Sequence, residues 1–496
     1  MHMNKDFHPG IFSYQEWKDG QGTLFSSHNP ATGKILWQGK AANQTQVNEA
    51  VLSARKAFPA WSNLTIDERT LFLNNFEKIL KQESTSLSEI ISQETGKPLW
   101  DSKNEVNAMI NKIEISLSAY GSRCAGMIHT IQPAIRNITR HKPHGIIAVI
   151  SPFNFPGHLA NAHIIPALLA GNTVVLKPSE LTPLVAEKMI QCWEQSNLPK
   201  GVINLVQGGS ETGKALVENS DINGVFFTGS YNTGKWLIEK IGSQPQKILA
   251  LEMGGNNPLI IGNTEKIKIA AYLTIQSTYL TSGQRCTCAR RLILIKGNRD
   301  EEFMQTLQEL IDTIIVGSYD SNPEPYMGPV ITESHALNFI KAQAQLVAAG
   351  GKILNEMRHL VVGTGFLSPG LIDVTNVVDR PDEEIFGPFL QIIRVDNLEE
   401  ALKEANNTKF GLSAGIFTDE HEEYDFFYRN IRAGIINWNT QLTGASSSAP
   451  FGGIGWSGNF RPSAYYAADY CSYPVASTET TDFKNPLNLP PGLKPF

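Results

Sequence analysis

Cysteine is scarce: five residues, at positions 124, 192, 286, 288 and 471 of a 496-residue chain. An odd and scattered set cannot build a disulfide framework, so the thiols are expected to be free, in a reducing compartment. Long apolar runs are also missing. HIIPALLAGNTVVLK is interrupted by His163, Asn172 and glycine, and nothing approaches the roughly 20 apolar residues that cross a bilayer. The opening MHMNKDFHPG lacks the basic and then apolar run of a signal peptide. A cytoplasmic protein is expected. Neither charge sign forms a block: 42 basic and 48 acidic residues leave a net charge of -6. Without a basic stripe, nucleic acid is an unsuitable partner, and any anion site must be local. Clustered histidines and C-x-x-C pairs are absent as well, so no metal site is expected.

The chain is too long for one ordinary core, and two or three domains are expected. Residues 1–45 are turn-rich, with short strand-like pieces around Asn29-Pro30 and Lys34–Trp37. Apolar spacing of three and four then predicts helices from about Gln44 to Tyr120. From Arg136 the texture becomes strand-like, and apolar runs such as IIAVI, TVVLK, VINLV and GVFF alternate with helical stretches. Buried runs separated by helices predict a parallel α/β sheet. The alternation resumes after Glu252, which predicts a second α/β unit over about 253–460. Segments near 121–142 and 463–485 fit neither unit and suggest a hairpin or an arm. The tail NPLNLPPGLKPF is expected to be extended.

Four stretches carry possible chemistry. In FFTGSYNTGK, Gly229 and Gly234 follow an apolar strand and precede the helical KWLIEKIG. Such a turn presents backbone N–H groups to a phosphate, although G-S-x-x-x-G is not the usual dinucleotide fingerprint. In VVLKPSE, Lys177 and Glu180 lie where a strand end can meet ribose hydroxyls. In LALEMGGNNP, Glu252 stands before two glycines and could serve as a general base. GQRCTCARR sets Cys286 and Cys288 beside Arg285, Arg290 and Arg291. A metal clip lacks further ligands, and a disulfide is strained at this spacing. A nucleophilic thiolate, its pKa lowered by neighbouring arginines, fits better. Spacing alone does not say which thiol.

SPFNFP, VVLKPSELTP, FTGS, LEMGGNNP, GQRC, EIFGPF, NNTKFGLSAGIF and PFGGIGWSG follow one another over nearly the whole chain. In these runs and their order it resembles the NAD(P)-dependent aldehyde dehydrogenase superfamily. The resemblance implies an α/β fold of two Rossmann-like parallel-sheet domains plus a β oligomerisation arm. Residues 1–120 and 143–252 would bind NAD, 253–462 would be catalytic, 121–142 and 463–485 would form the arm, and 486–496 the tail. It implies Cys286 as nucleophile, Glu252 as general base and Asn154 as oxyanion donor. Cofactor contacts would fall on Lys177, Glu180, Gly229, Ser230, Tyr231, Asn232, Thr233, Gly234 and Glu384. A carboxylate at Glu180 beside the ribose 2′ position suggests NAD over its 2′-phosphorylated form.

A narrower likeness lies in NFPGHLANAHIIPALLAGN, GQRCTCARRL, NWNTQLTGASSSAPFGGIG and SGNFRPSAYYAADYC. These resemble the bacterial subgroup that oxidises N-succinylglutamate 5-semialdehyde in the succinyltransferase route of arginine breakdown. Cys288 stands where other relatives commonly carry a small non-thiol residue. The implied substrate bears two carboxylates, which arginine matches best. Arg461, Arg123 and Arg285 are the candidates, with hydroxyls from Ser446, Ser447 and Ser448, whereas Arg290 and Arg291 are read as structural. A homodimer or homotetramer is expected. Alternatives are another ω-semialdehyde, such as succinate or glutarate semialdehyde, a non-catalytic protein on the same scaffold, and a C-x-C redox or metal protein.

Overall fold

The computed structural model describes residues 7–132, 135–297, 299–482 and 489–493. Its first sheet runs, edge to edge, Ile248–Met253, Gly224–Gly229, Ile146–Ile150, Thr173–Lys177, Ile203–Val206, Ile11–Ser13 and Glu16–Lys18. The first five strands are parallel, and Ile11–Ser13 pairs antiparallel with Ile203–Val206 on one side and Glu16–Lys18 on the other. Side chains alternate between faces along a strand, and both faces here are covered. Ile147, Val149, Val174 and Leu176 enter one core, while Ile146, Ala148 and Val175 enter another. That double burial explains the unbroken apolar runs. The helices Gln44–Ser62 and Ile66–Gln82 begin at capping boxes, Asn43 with Gln46 and Thr65 with Glu68, which satisfy the first backbone donors.

The second sheet runs Lys352–Asn355, Gly370–Asp373, Phe389–Val395, Ala289–Ile295, Asn257–Ile261, Ser413–Phe417 and Ile435–Trp438. Only the strand Lys352–Asn355 is antiparallel. The expected two parallel α/β units are both present. A separate antiparallel sheet joins Met127–Gln132, Ile135–Pro143 and Ser472–Thr480.

Several boundaries differ from the sequence reading. Asn29-Pro30 forms a turn between the strands Leu24–His28 and Ile35–Lys40. Residues 121–123 finish the helix Leu99–Arg123. Residues 463–471 leave the arm altogether: Ser463–Ala464 pairs with Pro450–Phe451, and Ala467, Tyr470 and Cys471 are buried in the first domain's core. Their apolar side chains are better buried there than on a peripheral sheet. Of the tail, Pro490 to Leu493 bends back, with the Leu493 N–H donating to the Pro490 carbonyl. Residues 486–488 and 494–496 lie outside the described residues.

Candidate active site

The loop that carries the two thiols leaves the helix Ile267–Thr278 through an unusual turn. Thr281, Ser282 and Gly283 all have left-handed backbones, with φ of 55°, 54° and 71°. A Cβ on Gly283 would lie 2.0 Å from the Gly387 carbonyl oxygen, so only glycine fits. Buried donors then pin the loop. Arg290 Nη1 donates to the Gly283 carbonyl at 2.8 Å and Nη2 to the Arg285 carbonyl at 3.0 Å. Asn257 Nδ2 donates to the carbonyls of Cys286 and Cys288 at 2.7 and 2.9 Å. Arg291 is spent on the carbonyls of Asn256, Glu404 and Ala405. Both arginines hold structure.

The geometry separates the thiols. Cys288 is fully buried, its Sγ near the Leu280 carbonyl. Cys286 is the one cysteine of the five that is not fully buried. It lines two adjoining cavities, of about 270 and 200 Å³. The expected lowering of its pKa by arginine is not met. Burial, then Glu384, Glu252 and Cys288, push the Cys286 thiol well up, against the pull of Arg290 alone. Arg285 instead pairs with Asp101 at 2.8 Å.

Glu252, on the strand Ile248–Met253, enters the larger cavity. Its Oε1 accepts the Ser463 N–H at 3.1 Å, while Oε2 is buried with no hydrogen-bond partner. Burial holds its pKa well above the usual carboxylate range, against the Ser463 N–H. Ser463 escaped the sequence reading because its segment was assigned to the arm. Asn154 lines both cavities, and its Nδ2 donates to the Gln284 carbonyl at 2.9 Å. Glu384 packs against Gly254, where a Cβ would lie 1.7 Å from Oε2. Burial raises its pKa and Arg290, 3.6 Å away, opposes the rise. His163 is hydrogen-bonded at both nitrogens, to Tyr470 Oη and Thr228 Oγ1 at 2.9 Å each.

A third cavity, of about 600 Å³, opens at the carboxyl ends of Ile146–Ile150, Thr173–Lys177 and Gly224–Gly229. There the strand order reverses, the usual place for a ligand in a parallel sheet. Lys177, Glu180, Gly229, Ser230, Asn232 and Thr233 line it, with Gly213 and Trp236, which sequence reasoning missed. Lys177 is buried, and its Nζ donates to the Pro178 carbonyl at 2.7 Å and Glu180 Oε2 at 3.4 Å. The helix starts at Tyr231, earlier than KWLIEKIG suggests, because Ser230 Oγ caps the Thr233 N–H. Tyr231 and Gly234 consequently turn away from the groove. Tyr231 stacks on Trp456 at 4.2 Å, and a Cβ on Gly234 would meet Met253 Sδ at 2.2 Å.

The substrate candidates also divide. Arg285 and Ser447 line the 200 Å³ cavity. Arg123 and Arg461 line none of the three cavities. Arg123 is held by both carboxylate oxygens of Asp469 and lies over Tyr466, and Arg461 is exposed. Among the described residues no helix is long and apolar enough to cross a membrane.

The family model of the aldehyde dehydrogenase family matches residues 17–474. The indole-3-acetaldehyde dehydrogenase AldA of P. syringae, solved with NAD+ and IAA, is 28% identical, with a TM-score of 0.90 over 96% of this chain and 97% of that one. The NADP-dependent glyceraldehyde-3-phosphate dehydrogenase of Bacillus halodurans, solved with NADP, is 28% identical, with a TM-score of 0.89 over 96% and 100%. Aldehyde dehydrogenase 21 of Physcomitrella patens, solved with its product succinate, is 25% identical, with a TM-score of 0.87 over 96% and 98%. A match over this length, on two parallel sheets that meet at a reachable cysteine, places the chain in the aldehyde dehydrogenase family.

Proposed function

We propose that the protein oxidises N-succinyl-L-glutamate 5-semialdehyde to N-succinyl-L-glutamate with NAD, in the cytoplasm, as a homodimer or homotetramer. One observation carries the chemistry: Cys286 alone among the cysteines is reachable, lining both the 200 Å³ cavity and the 270 Å³ cavity that shares Thr228, Gly229 and Ser230 with the large groove. The substrate rests on the subgroup-like runs of the sequence, from NFPGHLANAHIIPALLAGN to RPSAYYAADYC. The exposed Met127 and Ile128 at the edge of the three-stranded sheet fit an arm that pairs with another subunit.

The groove suits a dinucleotide. Ser230 and Thr233 open a helix at its wall, where backbone donors favour phosphate. Ser151 Oγ, also in the wall, is buried without a partner. Lys177 and Glu180 would take ribose hydroxyls, and Glu180 would repel a 2′-phosphate. A bound nicotinamide supplies the hydride acceptor. The chain's own groups do the rest. Cys286, deprotonated, adds through Sγ to the aldehyde carbon, and the Asn154 amide and the Cys286 N–H hold the oxyanion. Because the resting thiol pKa is raised, a base has to take its proton, and Glu252 Oε2 is free to accept one. Glu252 releases that proton to solvent as oxidation gives the thioester. It then draws a proton from water, which attacks the acyl carbon, and returns it to the departing Cys286 sulfur as the acid is released.

The test is NADH formation with N-succinylglutamate semialdehyde, succinate semialdehyde, glutarate semialdehyde and pentanal. A preference of about 10² in kcat/KM, roughly 2.7 kcal/mol, for the succinylated aldehyde supports the narrow substrate. Equal rates remove it and leave the aldehyde oxidation standing.

A further inference from the structure

The 200 Å³ cavity beside Cys286 is walled by four charged residues, Asp101, Glu105, Lys112 and Arg285. Three are neutralised within the protein. Asp101 accepts from Arg285 Nη2 at 2.8 Å and from Thr281 Oγ1. Glu105 pairs with the buried Lys97 through Oε2, and its Oε1 accepts the N–H groups of Gly157 and His158 at 2.9 and 3.1 Å.

Lys112 is the exception. Its side chain is fully buried, and its ammonium, with three donors, makes a single hydrogen bond, to the Ala464 carbonyl at 2.8 Å. Among the described residues no carboxylate lies within ion-pair distance of it. Three cations, Lys97, Lys112 and Arg285, thus face two carboxylates, and one positive charge is left over. A buried charge without a counterion is costly, and burial lowers the Lys112 pKa to about 8. His158 lines the same cavity, and its Nδ1 is buried with no hydrogen-bond partner. Burial and the surrounding cations push its pKa down to about 3, so the ring is neutral. A surplus cation and an unsatisfied neutral donor or acceptor share one cavity with the reactive thiol.

We propose that Lys112 determines substrate specificity by binding a carboxylate of the aldehyde, with His158 as its neutral hydrogen-bonding companion. The inference rests on the aldehyde dehydrogenase reading above and deepens it. A carboxylate brings one negative charge and balances the site. A phosphate brings nearly two and leaves one uncompensated, so carboxylated aldehydes are favoured over phosphorylated ones. Arg285, already paired with Asp101, holds the wall rather than the ligand.

The test uses the full-length enzyme with NAD and measures kcat/KM for glutarate semialdehyde, glyceraldehyde 3-phosphate and pentanal. Wild type should prefer the carboxylated aldehyde. In Lys112→Met the ratio of carboxylated to neutral aldehyde should fall about 10²-fold, mostly through KM, and Lys112→Arg should recover a large part of it. An unchanged ratio in Lys112→Met overturns the proposal. Should that variant not fold, wild type decides alone. Its KM for glutarate semialdehyde should rise between pH 7 and 9 as Lys112 loses its proton, against a flat KM for pentanal. Of the groups near Lys112, two histidines and one cysteine are shifted away from that range by burial. His158 and His163 are held neutral by burial, Cys471 is pushed well up, and Asp101 and Glu105 sit in ion pairs. Parallel profiles for both aldehydes overturn the proposal. No oxidation of any aldehyde would instead sink the enzymatic reading, whereas oxidation without preference sinks the Lys112 assignment alone.

Discussion

Two buried lysines flank the site, and the protein treats them in opposite ways. Lys177, in the large groove, has a carboxylate at 3.4 Å and a carbonyl at 2.7 Å. Lys112, in the small cavity, has one carbonyl and, among the described residues, no carboxylate. The groove side carries its own compensation and so suits a ligand that brings hydroxyls to Lys177 and Glu180. The other side is short of one negative charge, which a ligand must bring. Burial alone thus does not define a binding residue; unsatisfied burial does.

The largest expected effect removes the point where the two sides meet. Cys286→Ala should lower NADH formation by about 10⁴-fold or more, while NAD binding, followed by fluorescence, stays within a few-fold. Cys288→Ala should keep most of the turnover and show its effect in thermal stability, about 1 kcal/mol for a small buried thiol. Equal loss of turnover from both variants, with folding intact, would contradict the separation of the thiols. Next comes the amide between the cavities: Asn154→Ala should cost about 10²–10³ in kcat with little change in KM. A change confined to KM would make Asn154 a wall residue only.

The pH profile probes the same junction. Cys286 and Glu252 both have raised pKa values, for which burial is the leading cause. The reactive forms are deprotonated, so kcat should fall as pH drops through the folded-state values. The acid limb should therefore lie above the ordinary carboxylate range. Glu252→Gln should slow both the first release of NADH and the steady state, because thiol activation and thioester hydrolysis lose the same base. A full burst near one per active site would show that another group activates the thiol. A limb near pH 4 would show that Glu252 is solvated during turnover.

The sequence made the architecture legible because both faces of each main sheet are buried, so IIAVI, TVVLK and GVFF read as continuous apolar runs. It marked Cys286, Glu252, Asn154, Lys177 and Glu180 through local runs of residues. It could not show that Arg285 is consumed by Asp101, 184 residues away, or that Ser463 meets Glu252 across 211 residues. Pairing of that kind is tertiary and leaves no local spacing to read. Lys112 was invisible for the same reason. On the helix Leu99–Arg123 it resembles any other lysine until its missing counterion is seen. Tyr231 and Gly234 are placed differently. They fall in a phosphate-like turn, but the Ser230 cap starts the helix early and rotates both toward Trp456 and Met253.

The smallest effect bears on the comparison most directly, because it can make one lysine resemble the other. Glu180→Gln removes the carboxylate from Lys177 and keeps the side chain's size. The groove then gains a surplus positive charge, as the small cavity already has. Glu180 is about half exposed, so solvent screens the change and the energetic effect is modest. The preference for NAD over NADP should drop by roughly tenfold, measured as the ratio of kcat/KM for the two cofactors. The preference for carboxylated over neutral aldehydes should not move, since Lys112 answers to a different cavity. A shift in both preferences would mean that the two sides share one electrostatic field, and the distinction between a compensated and an uncompensated lysine would lose its force.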